Sequence, residues 1–211
     1  MKLRLIACFA LLGLIALPAF ADQYSVSVGY ADGLRGAGFF PSPWFGDPNV
    51  VFVGTPPSAG SPDAGAIMIT NTSGGTITVN DITVDVGGNL FDLWGSNTLL
   101  AGQMLVVTQT GFYNFDTSDF SSAGCPGNNG VIPTVKVTVD TVATSFNDSG
   151  QVLNTSGYDF ACDGSNESFQ WRPIGTFGGP AGQTPEPASL IFLGAGVLGL
   201  TRKYWKRSSV A

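Results

Sequence analysis

The amino-acid sequence predicts an all-β protein whose central part folds as an antiparallel β-sandwich of immunoglobulin-like type. Three observations support this fold class: short runs in which apolar and polar residues alternate, Gly- and Pro-rich turn signals between those runs, and the lack of long helical patterns of Leu, Glu, Lys and Ala. About seven to nine short strands at this spacing are typical of such a sandwich. The two ends of the chain differ from the centre, because each combines an apolar run with basic residues.

The clearest strand contains Val135, Val137 and Val139 with polar residues between them, which is the period of a half-buried strand. Thr76–Val86 also alternates, but its apolar positions change phase at 80–81, which predicts a β-bulge or a tight turn. Further strands are predicted at Tyr24–Val28, Val50–Val53, Ala66–Thr70, Phe91–Trp94, Met104–Gln109, Gln151–Leu153 and Phe169–Arg172. The run Ile67–Thr110 also resembles a sandwich of the lamin-tail type.

Three segments rich in Gly and Pro are predicted to be loosely ordered: Gly33–Pro48, Thr55–Asp63 and Gly175–Thr184. The last is interpreted as a linker. The predicted organisation is therefore a leader at 1–21, a sandwich domain at 22–174, a linker at 175–184 and a C-terminal tail at 185–211.

The N-terminus has the three parts of a secretory signal peptide. Basic residues at 2 and 4 precede the apolar run Leu5–Leu17, and Ala19-Phe20-Ala21 forms a small-x-small cleavage site. Cleavage after Ala21 would start the mature chain at Asp22. Only Cys125 and Cys162 then remain, and a pair of cysteines in an exported protein predicts a disulfide.

The C-terminal tail also has three parts. The triplet Pro185-Glu186-Pro187 precedes the uncharged run 188–200, and a basic cluster of Arg202, Lys203, Lys206 and Arg207 follows. The uncharged run predicts one transmembrane helix over 188–201, although thirteen residues reach only about 20 Å against a hydrocarbon core of roughly 30 Å. The four cations predict that this end stays in the cytoplasm and that the rest of the chain lies outside. The prolines hold Glu186 in an extended conformation that a processing enzyme can bind.

With these three parts in this order, the tail resembles the PEP-CTERM sorting signal of Gram-negative bacteria that make exopolysaccharide. The resemblance implies recognition by an exosortase, a membrane-embedded cysteine transpeptidase-like enzyme. It also implies an inner-membrane intermediate, removal of the tail, and delivery to the cell surface or the biofilm matrix.

Charge limits the partners of the exported part. The chain has nine Lys and Arg, of which two lie in the leader and four in the tail, and fifteen Asp and Glu, of which only Glu186 lies in the tail. The part between them carries fourteen acids against three bases, a net charge of −11. Such a domain repels nucleic acid and anionic lipid. No metal site or cofactor is predicted, and calcium on oxygen ligands remains an alternative, with Asp159, Asp163, Asn166 and Glu167 as the candidate loop.

The sequence contains no histidine, which excludes Ser-His-Asp and Cys-His catalysis and histidine-zinc sites. We therefore expect a non-enzymatic protein with a structural or adhesive role. One alternative is a carbohydrate-binding module of the matrix, with Trp44 and the rings of Phe39, Phe40 and Phe45 as a platform. A second is a glycosidase that uses two carboxylates from Asp116–Asp119 or Asp159–Glu167.

Overall fold

The computed structural model describes residues 22–33, 38–57, 63–111, 115, 130–157 and 167–178. These ranges belong to one compact unit, Asp22–Gly178, and their regular structure is all-β apart from short 3₁₀ turns. Among them no helix has the length and apolar character needed to cross a membrane. The strands are β1 (Asp22–Asp32), β2 (Val50–Val53), β3 (Asp63–Asn71), β4 (Ile77–Val86), β5 (Asn89–Trp94), β6 (Asn97–Leu99), β7 (Met104–Val107), β8 (Thr134–Val139), β9 (Val142–Asn147) and β10 (Phe169–Gly178).

The strands form two sheets that are mostly antiparallel. Sheet A has the order β10-β1-β3-β7-β2, and its neighbours are antiparallel except for the parallel pair of β2 and β7. Sheet B has the order β5-β4-β8-β9, with β6 also paired to β4. The prediction of an all-β fold with two such sheets is confirmed. The immunoglobulin-like connectivity and the lamin-tail resemblance stay predictions.

One hydrophobic core lies between the two sheets. It takes alternate residues of both, such as Val26 and Ile67 from sheet A and Val84 and Val137 from sheet B, all of them fully buried. Burying one such side chain stabilises the fold by about 1.5–3 kcal/mol. The alternation that predicted half-buried strands is therefore the pattern that places these residues in one core.

A β-bulge lies at the phase change in β4. Val79 is opposite Val139 of β8 and Asp81 is opposite Thr138, so Asn80 is the extra residue. Because one residue is added, both Val79 and Ile82 face the core. Of the two predicted alternatives, the bulge is correct, and the tight turn is wrong.

Most predicted strands are present, but their lengths and number differ. Strand β2 has the predicted bounds, and β10 extends to Gly178, so residues 175–178 lie in a strand. Strands β6 and β9 were not predicted, because each is short and has few buried residues. The strand predicted at Gln151–Leu153 is wrong: these residues form a turn in which Gln151 has a φ of 51°.

Sheets A and B approach closely at the edge formed by β9 and β10. A Cβ atom on Gly175 would lie 2.5 Å from Cδ1 of Phe146. The Phe146 ring is itself held against Tyr24, with ring centroids 6.2 Å apart. Position 175 therefore requires glycine, because the Phe146 ring fills the space that a side chain would need.

Replacing Gly175 by Ala should lower the free energy of unfolding by roughly 1–3 kcal/mol, because the added methyl group must displace the buried Phe146 ring. Urea denaturation followed by tryptophan fluorescence measures the change. Gly74→Ala is the matched control, since a Cβ there meets no atom within 4 Å, and it should change stability by less than about 0.5 kcal/mol. Equal stability of the two variants would contradict the close approach of the sheets.

Candidate functional site

The first and last residues of the described domain are paired with each other. Asp22, at the start of β1, is opposite Gly178, at the end of β10. The predicted signal cleavage after Ala21 is at the bond just before β1. Both ends of the described domain meet at one end of sheet A.

The start of β1 is held from three directions. The carbonyl oxygen of Gln23 accepts hydrogen bonds from the N–H groups of Thr72 (3.1 Å) and Ser73 (3.2 Å). The Gln23 side chain donates from Nε2 to Oδ2 of Asp140 in the turn between β8 and β9, at 3.3 Å. Tyr24 is fully buried and stacks on Phe177 of β10 with ring centroids 5.4 Å apart. The beginning of the described domain is thus part of the packed structure.

A second apolar cluster lies on the outer face of sheet A, beneath residues 38–49. Its centre is Trp44, which is 5% exposed and contacts Phe40, Phe52 and Trp171 at centroid distances of 5.9, 5.4 and 5.8 Å. The buried residues Ala31, Ala66 and Val106 of β1, β3 and β7 lie in the same cluster. The described part of the segment predicted to be loosely ordered, residues 38–48, is instead held on the sheet through Phe40, Pro41 and Trp44.

Residues 38–49 form a cover over this cluster, and hydrogen bonds hold the cover on the sheet. Trp171 donates from Nε1 to the carbonyl oxygen of Pro43 at 2.9 Å, and the N–H of Ser42 donates to Oε1 of Gln170 at 3.1 Å. Gly29 of β1 allows the close approach, because a Cβ there would lie 3.0 Å from both Pro41 and Trp171. The cover therefore depends on β1 beneath it and on β10 beside it.

The position of Trp44 corrects the predicted sugar platform. Its ring is enclosed and has no free face for stacking on a sugar, so the prediction is wrong for Trp44. The neighbouring Phe45 is 51% exposed and packs edge-on against Phe52, with ring centroids 5.3 Å apart. The exposed aromatic surface of this cluster is thus at Phe45. Composition alone could not separate the two rings, which are adjacent in the sequence.

A fully buried carboxyl group, Asp148, organises the segment that follows β9. Its Oδ2 accepts a hydrogen bond from the N–H of Leu153 at 2.8 Å, and its own N–H donates to the carbonyl oxygen of Pro133 at 2.8 Å. Burial raises the pKa of Asp148 above its ordinary value of 3.8, and this outweighs the opposing effect of the N–H donors and of the Arg172 charge. In the sequence analysis this residue is not singled out as a site.

Most of the sequence-predicted site residues lie outside the described residues. These are the cleavage-site residues Ala19 and Ala21, the cysteines Cys125 and Cys162, the triplet Pro185-Glu186-Pro187, the basic cluster Arg202, Lys203, Lys206 and Arg207, and the acids Asp116, Asp119, Asp159 and Asp163. Of the proposed calcium loop only Glu167 is described, and it is buried. Over the described ranges, no three Cys, Asp or Glu side chains are grouped so that they could hold a metal ion.

The tail matches a known family. Residues 183–207 match the PEP-CTERM protein-sorting motif, and the match includes the triplet, the apolar run and the basic cluster. The resemblance stated from the sequence is confirmed. The motif implies export, membrane-associated sorting at the C-terminus and processing by an exosortase. No curated protein and no solved structure matches the chain.

Replacing Asp148 by Asn should flatten the pH dependence of stability. Because the folded-state pKa lies above 3.8, the stabilising effect of the bound proton is fully present below pH 3.8 and is lost as the pH rises through the raised pKa. Asn cannot titrate but keeps an oxygen for the Leu153 N–H group. Urea unfolding from about pH 3 to pH 7 should show the free energy of unfolding falling more steeply for the wild type than for the variant.

The matched control for the loss of one charge is Asp92→Asn, since Asp92 is exposed. If Asp148→Asn and the wild type show the same slope of stability against pH, burial does not raise the pKa of Asp148.

Proposed function

We propose that this protein is an exported, non-enzymatic component of the cell surface or the exopolysaccharide matrix, which an exosortase sorts through the C-terminal motif. The match of residues 183–207 to the sorting motif is the observation that carries this function. On this proposal the signal peptide is cut after Ala21, and the helix 188–201 holds an intermediate in the inner membrane. Removal of the tail then releases the domain to its final location.

The position of the motif relative to the fold supports processing of a folded domain. Strand β10 ends at Gly178, and Pro185 follows after six intervening residues. Pro185 and Pro187 restrict the backbone around Glu186 to an extended conformation. Six residues of the chain thus separate the triplet from the last residue paired in sheet A.

The described domain supports a structural or adhesive role more than a catalytic one. The carboxyl group of Asp148 accepts the N–H of Leu153 and so holds the segment after β9. The aromatic rings on the outer face of sheet A pack against each other. These contacts give the polar and aromatic residues roles in stability. The net charge of −11 between the leader and the tail keeps such a domain soluble outside the cell.

A disulfide between Cys125 and Cys162 belongs to the same proposal. The chain that follows Cys125 contacts the chain that precedes Cys162, since Nδ2 of Asn154 donates to the carbonyl oxygen of Val131 at 2.9 Å. Cys125 is six residues before Val131, and Cys162 is eight residues after Asn154. A bridge between them would stabilise the domain by roughly 3–4 kcal/mol.

Replacing Pro185, Glu186 and Pro187 together by alanine should leave the tail attached. Mass spectrometry of the protein from cells, medium and matrix measures both termini. The wild type in the surface fraction should begin near Asp22, end near Pro185, and be lighter by two hydrogen atoms if Cys125 and Cys162 are bridged. The triple variant should end at Ala211 and stay in the inner membrane.

The matched control places three alanines at Gly179, Pro180 and Gly182, which are outside the matched motif, and it should be sorted like the wild type. If the triplet variant reaches the surface with the same two termini as the wild type, the proposed function is contradicted.

The exposed ring of Phe45 supports a second candidate function, binding of matrix polysaccharide. Phe45→Ala should weaken retention of the domain on an exopolysaccharide column about tenfold, because a half-exposed aromatic ring that stacks on a sugar contributes on the order of 1.4 kcal/mol. Leu90→Ala, an exposed apolar residue in sheet B, is the matched control and should not change retention. Equal retention of both variants would exclude Phe45 as a sugar contact. Loss of retention in EDTA that added calcium restores and magnesium does not would show that calcium takes part.

A further inference from the structure

We propose that two copies of this chain pair through the open edge of β2 and so join their A sheets into one continuous sheet. Strand β2 is the last strand of sheet A, and only one of its edges is paired, to β7. No described strand lies along the other edge. The pairing concerns the domain itself and does not depend on the sorting proposed above.

The register of β2 decides which backbone groups face the open edge. The carbonyl oxygen of Val53 accepts the N–H of Thr108 at 3.1 Å, so Val53 faces β7. Backbone groups of successive residues alternate between the two edges of a strand, so those of Val50 and Phe52 point away from β7. The Val50 N–H donates to the carbonyl oxygen of Asp47 at 3.3 Å. Within the described ranges, the open edge therefore presents two carbonyl oxygens, of Val50 and Phe52, and the N–H of Phe52.

The side chains of β2 are apolar on both faces of the sheet, and each is only half-buried. Val51 and Val53 pack against the core between the sheets, whereas Val50 and Phe52 pack against the second apolar cluster on the outer face. Phe45 lies edge-on against Phe52 and is 51% exposed. A strand added at this edge would bury more of these five side chains, so apolar burial would act together with the backbone hydrogen bonds.

The edge of β2 differs from other edges of the two sheets in having no feature that blocks pairing. Natural proteins protect edge strands with charges, prolines or irregular register. Strand β10 contains Arg172 and Pro173, and β5 contains Asp92 and shifts its register against β4. Strand β2, with the sequence Val-Val-Phe-Val, has none of these features. It is therefore the edge most suited to pairing with another chain.

Charge favours a second copy of β2 as the occupant. The part of the chain between the leader and the tail has a net charge of −11, so most contacts between two copies would bring acids together. Antiparallel pairing centred on Phe52 instead places Phe52 opposite its own copy, Val51 opposite Val53, and Val50 opposite Gly54, all uncharged. The N–H of each Phe52 then donates to the carbonyl oxygen of the other. Such a contact is two-fold symmetric and closes at a dimer.

The test compares Phe52→Pro with Phe52→Ala in the full chain, residues 1–211, in detergent micelles. Both variants lose the ring, but only proline also removes the N–H that faces the open edge. Sedimentation equilibrium over a concentration series gives the dissociation constant of the dimer, and circular dichroism checks the fold. The wild type should dimerise. The dissociation constant of Phe52→Pro should exceed that of Phe52→Ala roughly thirtyfold, because the symmetry removes two hydrogen bonds at once.

A second matched pair tests the same edge if Phe52→Pro does not fold. Phe45→Asp places a negative charge beside the edge in both copies and should weaken the dimer about tenfold at low salt. Leu90→Asp adds the same charge at an exposed position of β5 and should leave the dimer unchanged.

A monomeric wild type, or equal dissociation constants within either folded pair, would overturn the pairing. If the monomer instead binds the peptide Thr-Val-Thr-Val-Thr-Val, the edge takes a strand of another protein and the pairing of copies is wrong. None of these results bears on the sorting of the chain, which is measured by its termini and location.

Discussion

The pairing of β1 with β3 on one side and β10 on the other is the interaction on which the domain depends. Nine consecutive residue pairs join β1 to β3 without a shift in register, from Tyr24 opposite Asn71 to Asp32 opposite Asp63. One face of β1 supplies Val26 and Val28 to the core between the sheets, and the other supports the aromatic cover through Gly29. Both apolar clusters therefore share one strand, which must be fully formed for either to pack.

Strand β10 is attached less regularly. Its register against β1 shifts at three places, and it contains Pro173, which has no N–H group to donate. An edge strand is the place where such features are tolerated. Strand β10 nevertheless makes contacts on two sides: Trp171 packs against Trp44 of the outer cover, and Gly175 lies against Phe146 of sheet B.

Periodicity predicted the strands that contribute most to the core and was less informative at the edges. Val135, Val137 and Val139 alternate because one face of β8 is buried. The phase change at 80–81 predicted a bulge or a tight turn, and only the structure shows that it is a bulge. Strand β9 has one buried residue, Phe146, so no alternation marks it.

Trp44 and Phe45 show the same limit for the candidate site. They are neighbours of similar hydrophobicity, and both contact Phe52. The contact with Trp171, from a distant part of the chain, is made by Trp44, the ring that is buried. The tail was predictable because its recognition depends on order and composition within one short stretch.

The meeting of Asp22 and Gly178 also bears on how such proteins arise. A domain whose termini are adjacent can be joined to new flanking segments by gene fusion with little effect on its interior, because nothing inside the sheets has to move. The same sorting tail can then follow domains of unrelated sequence. In this protein Asp22 and Gly178, opposite each other in sheet A, are the two points at which flanking segments join the domain.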